Sequence, residues 1–174
     1  FIIISLLFLS FGFSQQEYNS NDLIEMDNGL WTEKFSDIPI TGKVYGYFGE
    51  NKPYKKVHMG NIRNGKKEGK WVSYHHSTGR KSSEENWKDG KLNGLSTFWY
   101  EDGQKQVEVN LKDGKENGLS TNWYENGQKV FELTYKDGKP NGLSTKWYED
   151  GQKQTEVNLK DGIQNGLSTN WYEN

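Results

Sequence analysis

Apolar and polar side chains alternate with a period of two along most of this chain, in short runs broken by Asp-Gly, Asn-Gly and Glu-Asp-Gly. Alternation of that kind is the signature of a half-buried strand, whose successive side chains point to opposite faces. It predicts one strand near Leu95–Tyr100 and a second near Lys105–Lys112, joined by Glu101-Asp102-Gly103. The pair then recurs. The sequence NGLSTFWYEDGQKQVEVNLKDGKE at 93–116 returns with changes at 117–140 and 141–164, and begins again at 165–174. Its first and third copies differ only at Phe98/Lys146, Val107/Thr155, Lys115/Ile163 and Glu116/Gln164, so the unit most recently duplicated is two repeats. Self-similarity at this period means an array built from one supersecondary unit, here a hairpin. The expected fold is all-β, an elongated single antiparallel sheet of stacked β-hairpins.

The register within a hairpin can be argued from its faces. A two-residue turn at Asp102-Gly103 would mix apolar and polar side chains on both sides. A three-residue loop closed by a left-handed Gly103 instead pairs Trp99 with Lys105, Thr97 with Val107 and Leu95 with Val109. Leu95, Trp99, Val107, Val109 and Leu111 then share an inner face, with Ser96, Tyr100, Gln106, Glu108 and Asn110 outside. The corresponding core is Leu119, Trp123, Phe131, Leu133 and Tyr135 in the next copy, and Leu143, Trp147, Val157 and Leu159 in the one after. One buried tryptophan per repeat is expected to supply most of the packing, and its loss to cost about 3–5 kcal/mol.

Upstream the pattern weakens. Residues 69–92 read as another repeat with an extra residue near His75-His76, and residues 28–68 as a degenerate N-terminal repeat that caps the stack. Residues 15–27 read as a linker. Residues 1–14, FIIISLLFLSFGFS, resemble the apolar core and small-residue end of a secretory signal. They are too short to span a bilayer, no later segment approaches the length of a transmembrane helix, and an exported, periplasmic or extracellular protein is the expectation. The duplication further predicts that the sequence continues after Asn174 close to GQKVFELTYKDG.

At Trp99-Tyr100 through Gly103-Gln104-Lys105, and at Lys112-Asp113-Gly114-Lys115, the repeated W-Y-x-x-G-Q-K and K-D-G-K-x-x-G patterns, approximated upstream by the G-x-W-x-x-Y of Gly69–Tyr74, resemble the bacterial MORN-repeat variant family, including its YwqK-like antitoxin-named proteins. The likeness covers roughly residues 28–174 and is clearest from residue 93. It implies stacked antiparallel hairpins and a scaffold or partner-binding role.

Composition changes this picture little. Hydrophobic residues make up 32% and mean hydropathy is −1.01, which suits a thin repetitive body better than a layered globule, while 7 Trp and 10 Tyr argue against disorder. A net charge of −2 gives no electrostatic case for nucleic acid. The absence of cysteine excludes disulfides and thiol chemistry within these residues. His58, His75 and His76 make a poor metal site, since adjacent strand residues diverge, and are expected to be exposed. The Asp-Gly pairs at 113, 137 and 161 are turn chemistry, lacking the dense Asp spacing of calcium loops. The carboxylate pair Glu101-Asp102 recurs as Glu149-Asp150 and alternates with Glu-Asn in the same turn, which suits a repeated turn and not one catalytic constellation. No enzyme activity and no cofactor are expected.

The candidate working surface is the outward row Tyr100, Tyr124, Tyr148 and Tyr172, about 10 Å apart on alternate strands, with Phe98 and Lys146 beside it. Such aromatics suit a protein interface or stacking on sugar rings. They also suit a plainer role, each tyrosine covering its neighbour's backbone. The first expectation is therefore an exported scaffold for a protein partner. A carbohydrate or cell-wall binding module is the alternative, and a YwqK-type immunity protein with a toxin as partner is the third.

Overall fold

The computed structural model describes residues 16–49 and 53–172. The N-terminal part comprises β1 (Glu17–Asn19), a 3₁₀ turn at Ser20–Asp22, β2 (Leu23–Glu25), β3 (Trp31–Glu33), β4 (Gly42–Phe48) and β5 (Lys55–Arg63). The sheet continues through β6 (Lys66–Tyr74), β7 (Lys81–Lys88), the short β8 (Lys91–Leu92) and β9 (Gly94–Trp99). It ends with β10 (Lys105–Lys112), β11 (Lys115–Trp123), β12 (Lys129–Lys136), β13 (Lys139–Trp147), β14 (Lys153–Lys160) and β15 (Ile163–Asn170). Among the described residues these form one 13-stranded sheet in near-sequential order, antiparallel except where β1 lies parallel to β4, and β2–β3 form a separate hairpin. The fold is thus an elongated, mostly antiparallel sheet of stacked hairpins.

Two turn types alternate along its long edges. At one edge Asp113-Gly114, with φ of 52° and 81°, makes the two-residue turn that needs positive φ at both positions, and Asp89-Gly90, Asp137-Gly138 and Asp161-Gly162 repeat it. At the other edge Glu101-Asp102-Gly103 forms the expected three-residue loop. Gly103 donates its N–H to the Tyr100 carbonyl at 3.0 Å, Tyr100 donates to the Gln104 carbonyl at 2.9 Å, and Asp102 Oδ1 accepts from the Gln104 N–H at 2.8 Å.

Beyond that loop the register departs from expectation. Trp99 faces Lys105, but Phe98 faces Val107, Thr97 faces Glu108 and Leu95 faces Asn110. Gln106 is an extra residue, a β-bulge, and it flips the rest of β10 relative to β9. Residues directly opposite in a ladder share a face. Val107, Val109 and Leu111 therefore lie with Ser96 and Phe98, whereas Trp99, Thr97 and Leu95 lie with Lys105, Glu108 and Asn110. Val130 and Gln154 are the corresponding bulges, since Asn122 faces Phe131 and Lys146 faces Thr155. The expected common face of leucine, tryptophan and valine is corrected accordingly. Leu95, Leu119 and Leu143 are 41%, 46% and 47% exposed and are not core. Trp99, Trp123 and Trp147 are only half-buried, on the opposite side from Val107, Val109, Leu111, Phe131, Leu133, Tyr135, Val157 and Leu159, of which Leu133 alone is buried.

The continuous core sits at the N-terminal end. Tyr18, Leu23, Ile40, Val44, Ile62 and Trp71 are buried together, with Trp31, Met59 and Trp87 packed against them. Trp71 lies over Gly60, where an added Cβ would stand 2.4 Å from the indole. The segment read as a linker is part of this core, because Tyr18 and Leu23 need β1 and β2 to bring them there. The β2–β3 hairpin and the chain to Ile40 thus cover the side of the sheet that carries Val44, Ile62, Trp71 and Trp87, and by register this is the side that carries Val107 and Val109 further on.

Candidate binding surface

Three side-chain rows run along the repeats, each built from one position of the hairpin. The first is the tyrosine row. Tyr100, Tyr124 and Tyr148 are half-buried, and each hydroxyl donates to the main-chain carbonyl of the next repeat's tryptophan: to Trp123 at 2.7 Å, to Trp147 at 3.2 Å and to Trp171 at 2.9 Å. The rings therefore stitch hairpin to hairpin, as in the plainer reading of the row. Tyr172 differs, being 87% exposed. His75 occupies the tyrosine position of the preceding repeat, its Nε2 at 2.9 Å from the Trp99 carbonyl, so it is a half-buried stitch and not the free histidine expected. A cleft of about 430 Å³ opens at this point, lined by His75, Trp99, Tyr100, Glu101, Asp102, Gln106 and Glu125.

The second row was not anticipated from sequence. On the tryptophan side, Lys105 forms an ion pair with Glu108 at 2.5 Å, as do Lys129 with Glu132 and Lys153 with Glu156 at 2.5 Å, and Lys81 with Glu84 at 2.7 Å. Each lysine also reaches the tryptophan of the following repeat: Lys81 Nζ is 5.2 Å from the Trp99 ring, Lys105 5.6 Å from Trp123, Lys129 5.4 Å from Trp147 and Lys153 5.7 Å from Trp171. Lysine and tryptophan thus alternate across successive strands. The ammonium lies within the range at which a ring quadrupole attracts a cation. Lys70 adds a second bond to Glu84 at 2.6 Å, and hydrogen bonds from Lys70 and Lys81 together hold the Glu84 carboxyl below its ordinary pKa.

The third row is the valine side. Here Phe98, Val107, Val109, Leu111, Phe131, Leu133, Tyr135, Val157 and Leu159 follow one another with no covering segment among the described residues, interrupted by Lys146, which is exposed. Phe98 and Lys146 therefore belong to this apolar row, on the side opposite Trp99. Glu116 also borders it, facing Leu111, and burial raises its carboxyl pKa. Tyr135 is raised by burial and by the nearby Glu116 charge.

Where this side passes under the N-terminal hairpin, its end is closed by an unusual contact. Lys67 Nζ stands 5.1 Å from the Trp31 ring, 4.7 Å from Trp71 and 4.6 Å from Trp87, and burial lowers its pKa. The three rings replace much of the water an ammonium would otherwise hold. No sequence spacing links Trp31 to Trp87, so only the fold reveals this cage.

Among the described residues no group of three or more His, Asp or Glu side chains could hold a metal ion, and no helix is long and apolar enough to cross a membrane. His58 is exposed, its ring 5.3 Å from that of Tyr45 and tilted by 52° to it.

These features define a repeat protein whose units are β-hairpins joined side by side, each adding one tyrosine stitch and one lysine–tryptophan step. In agreement, the MORN repeat variant family model matches three consecutive segments, residues 92–113, 116–137 and 140–161. No curated protein matches the chain.

Proposed function

We propose that the chain is an exported, non-enzymatic repeat scaffold that docks another protein on its valine side. The observation that supports this most is the contrast between the two ends of one face. Under β2–β3 the face is covered and gives a buried core, whereas along β10–β14 equivalent positions hold Val107, Val109, Leu111, Phe131 and Val157, which stay only half-buried, around the buried Leu133. A contiguous apolar row flanked by polar side chains is what a protein interface presents. The match to MORN repeat variants supports a scaffold reading, and the apolar run FIIISLLFLSFGF supports export.

The tyrosine row supports the glycan alternative less well, because three of its hydroxyls are already spent on main-chain carbonyls. The reading is tested by affinity capture from the producing cell's envelope and medium, using the wild-type chain and the Val109→Asp/Leu133→Asp variant side by side. Capture of one defined protein by the wild type, lost in a variant that keeps its β-sheet circular dichroism, is the expected result. Equal capture by both, or binding to a glycan array with no protein captured, overturns it.

A further inference from the structure

The two long edges of the sheet carry opposite charge, and the register shows that this arrangement is costly to the isolated chain. At the Asp-Gly edge, Lys88 lies directly opposite Lys91, Lys112 opposite Lys115 and Lys136 opposite Lys139, all exposed. Like charges directly opposite in a ladder repel and destabilise the pair. Among the described residues none of these six lysines makes an ion pair, whereas every lysine that begins the second strand of a repeat, Lys81, Lys105, Lys129 and Lys153, is paired with a glutamate. The turn aspartates between the lysines offset only one charge of each two.

At the opposite edge the loops present Glu101, Asp102, Glu125, Glu149 and Asp150, all exposed and, among the described residues, in no ion pair. Both edges belong to the same hairpins, so their charges recur with the same spacing of two strands, about 9–10 Å. No tuning is needed for one edge to match the other. We propose that copies of this chain associate side by side, the lysine edge of one against the acidic edge of the next. A linear polyanion would answer the lysine edge and leave the acidic one without a role, while a second copy answers both.

Such a contact is heterologous, so each bound copy leaves a free edge of either sign and the assembly grows laterally. Each exposed ion pair is weak and screened by salt, and the strength comes from several pairs forming together. Sedimentation velocity of the full chain tests this. In about 20 mM NaCl, species larger than the monomer should grow with protein concentration, and about 500 mM NaCl should weaken association tenfold or more.

The Lys112→Glu/Lys136→Glu and Glu125→Lys/Glu149→Lys variants should each stay monomeric alone, having two edges of one sign, while their mixture regains association because every edge of one then meets an edge of opposite sign on the other. If the reversed chains lose their β-sheet circular dichroism, Lys112→Gln/Lys136→Gln must show the same loss of association. A wild-type chain that is monomeric at both salt concentrations overturns the proposal, as does association undiminished in these variants. So does salt-sensitive retention on immobilised polyphosphate by a chain that sediments as a monomer, which would give the lysine edge to a polyanion.

Discussion

Replacing tyrosine by phenylalanine at positions 100, 124 and 148 removes one hydroxyl from each of three repeat junctions and leaves the ring in place. Each hydroxyl donates across the junction to a tryptophan carbonyl, and a typical internal hydrogen bond contributes about 0.5–1.5 kcal/mol net. Geometry ranks them. Tyr100 bonds at 2.7 Å, Tyr148 at 2.9 Å and Tyr124 at 3.2 Å, so Tyr100→Phe should cost most and Tyr124→Phe least. The junctions are separate and share no partner, so the triple variant should lose roughly the sum, about 2–4 kcal/mol. In a stack where each unit touches only its neighbours, this loss falls on the coupling between repeats. Urea unfolding followed by tryptophan fluorescence measures it, because Trp123, Trp147 and Trp171 provide the accepting carbonyls. The triple variant should show a lower midpoint and a broader transition. A triple variant within about 0.5 kcal/mol of wild type would refute the stitching role. The hydroxyls would then be free to serve a ligand.

Two further substitutions probe the core and the valine side. Gly60→Ala places a methyl group 2.4 Å from the buried Trp71 indole, so it should destabilise by about 1–3 kcal/mol, read as a lower thermal midpoint and altered near-ultraviolet circular dichroism. Glu116→Gln should stabilise the chain at neutral pH by a degree or two in Tm, on the order of a few tenths of a kcal/mol. Burial raises the Glu116 pKa in the folded state, so its contribution is fully present below the unfolded carboxylate pKa and is lost as pH rises through the folded value. The advantage of the Glu116→Gln variant over the wild type should therefore be larger at pH 7 than at pH 3.5, and a pH-independent difference would rule out ionisation as its cause.

The hairpin, the loop lengths and the sheet were legible because turn chemistry is local. Asp-Gly and Glu-Asp-Gly fix positive φ within a few residues, and a fixed repeat guarantees that one correct hairpin predicts the next. The faces were misread because alternation says nothing about a single inserted residue. Gln106 offers no glycine or proline to mark it, yet it exchanges the sides of every following residue in its strand. A second pattern carried the missing information. Lysine and glutamate recur three apart in KSSE, KQVE, KVFE and KQTE, and on a regular strand residues three apart point to opposite sides. Their ion pairs form only because the bulge brings both to one face, so the recurring K-x-x-E was itself the sign of a bulge. The lysine cage could not be found this way, because Trp31, Lys67, Trp71 and Trp87 come from three separate strands.

The bulge also decides what each side of the array is available to do. With it, the indoles, the paired charges and the exposed Leu95, Leu119 and Leu143 occupy one side, where each lysine is held both by its glutamate and by the next tryptophan. The valines, with Leu111, Phe131, Leu133 and Leu159, are gathered on the other side, too thinly to form a buried core in a single layer, since a sheet needs a second layer to remove its apolar face from water. The N-terminal hairpin provides that layer for Ile62 and Trp71, sealed by Trp31 over Lys67. A chain without the bulge would spread leucine, tryptophan and valine on one face and leave a polar reverse. One inserted residue per repeat therefore turns a conventional two-sided sheet into one whose stitched, charged side stabilises the array while its valine side stays without a second layer along β10–β14.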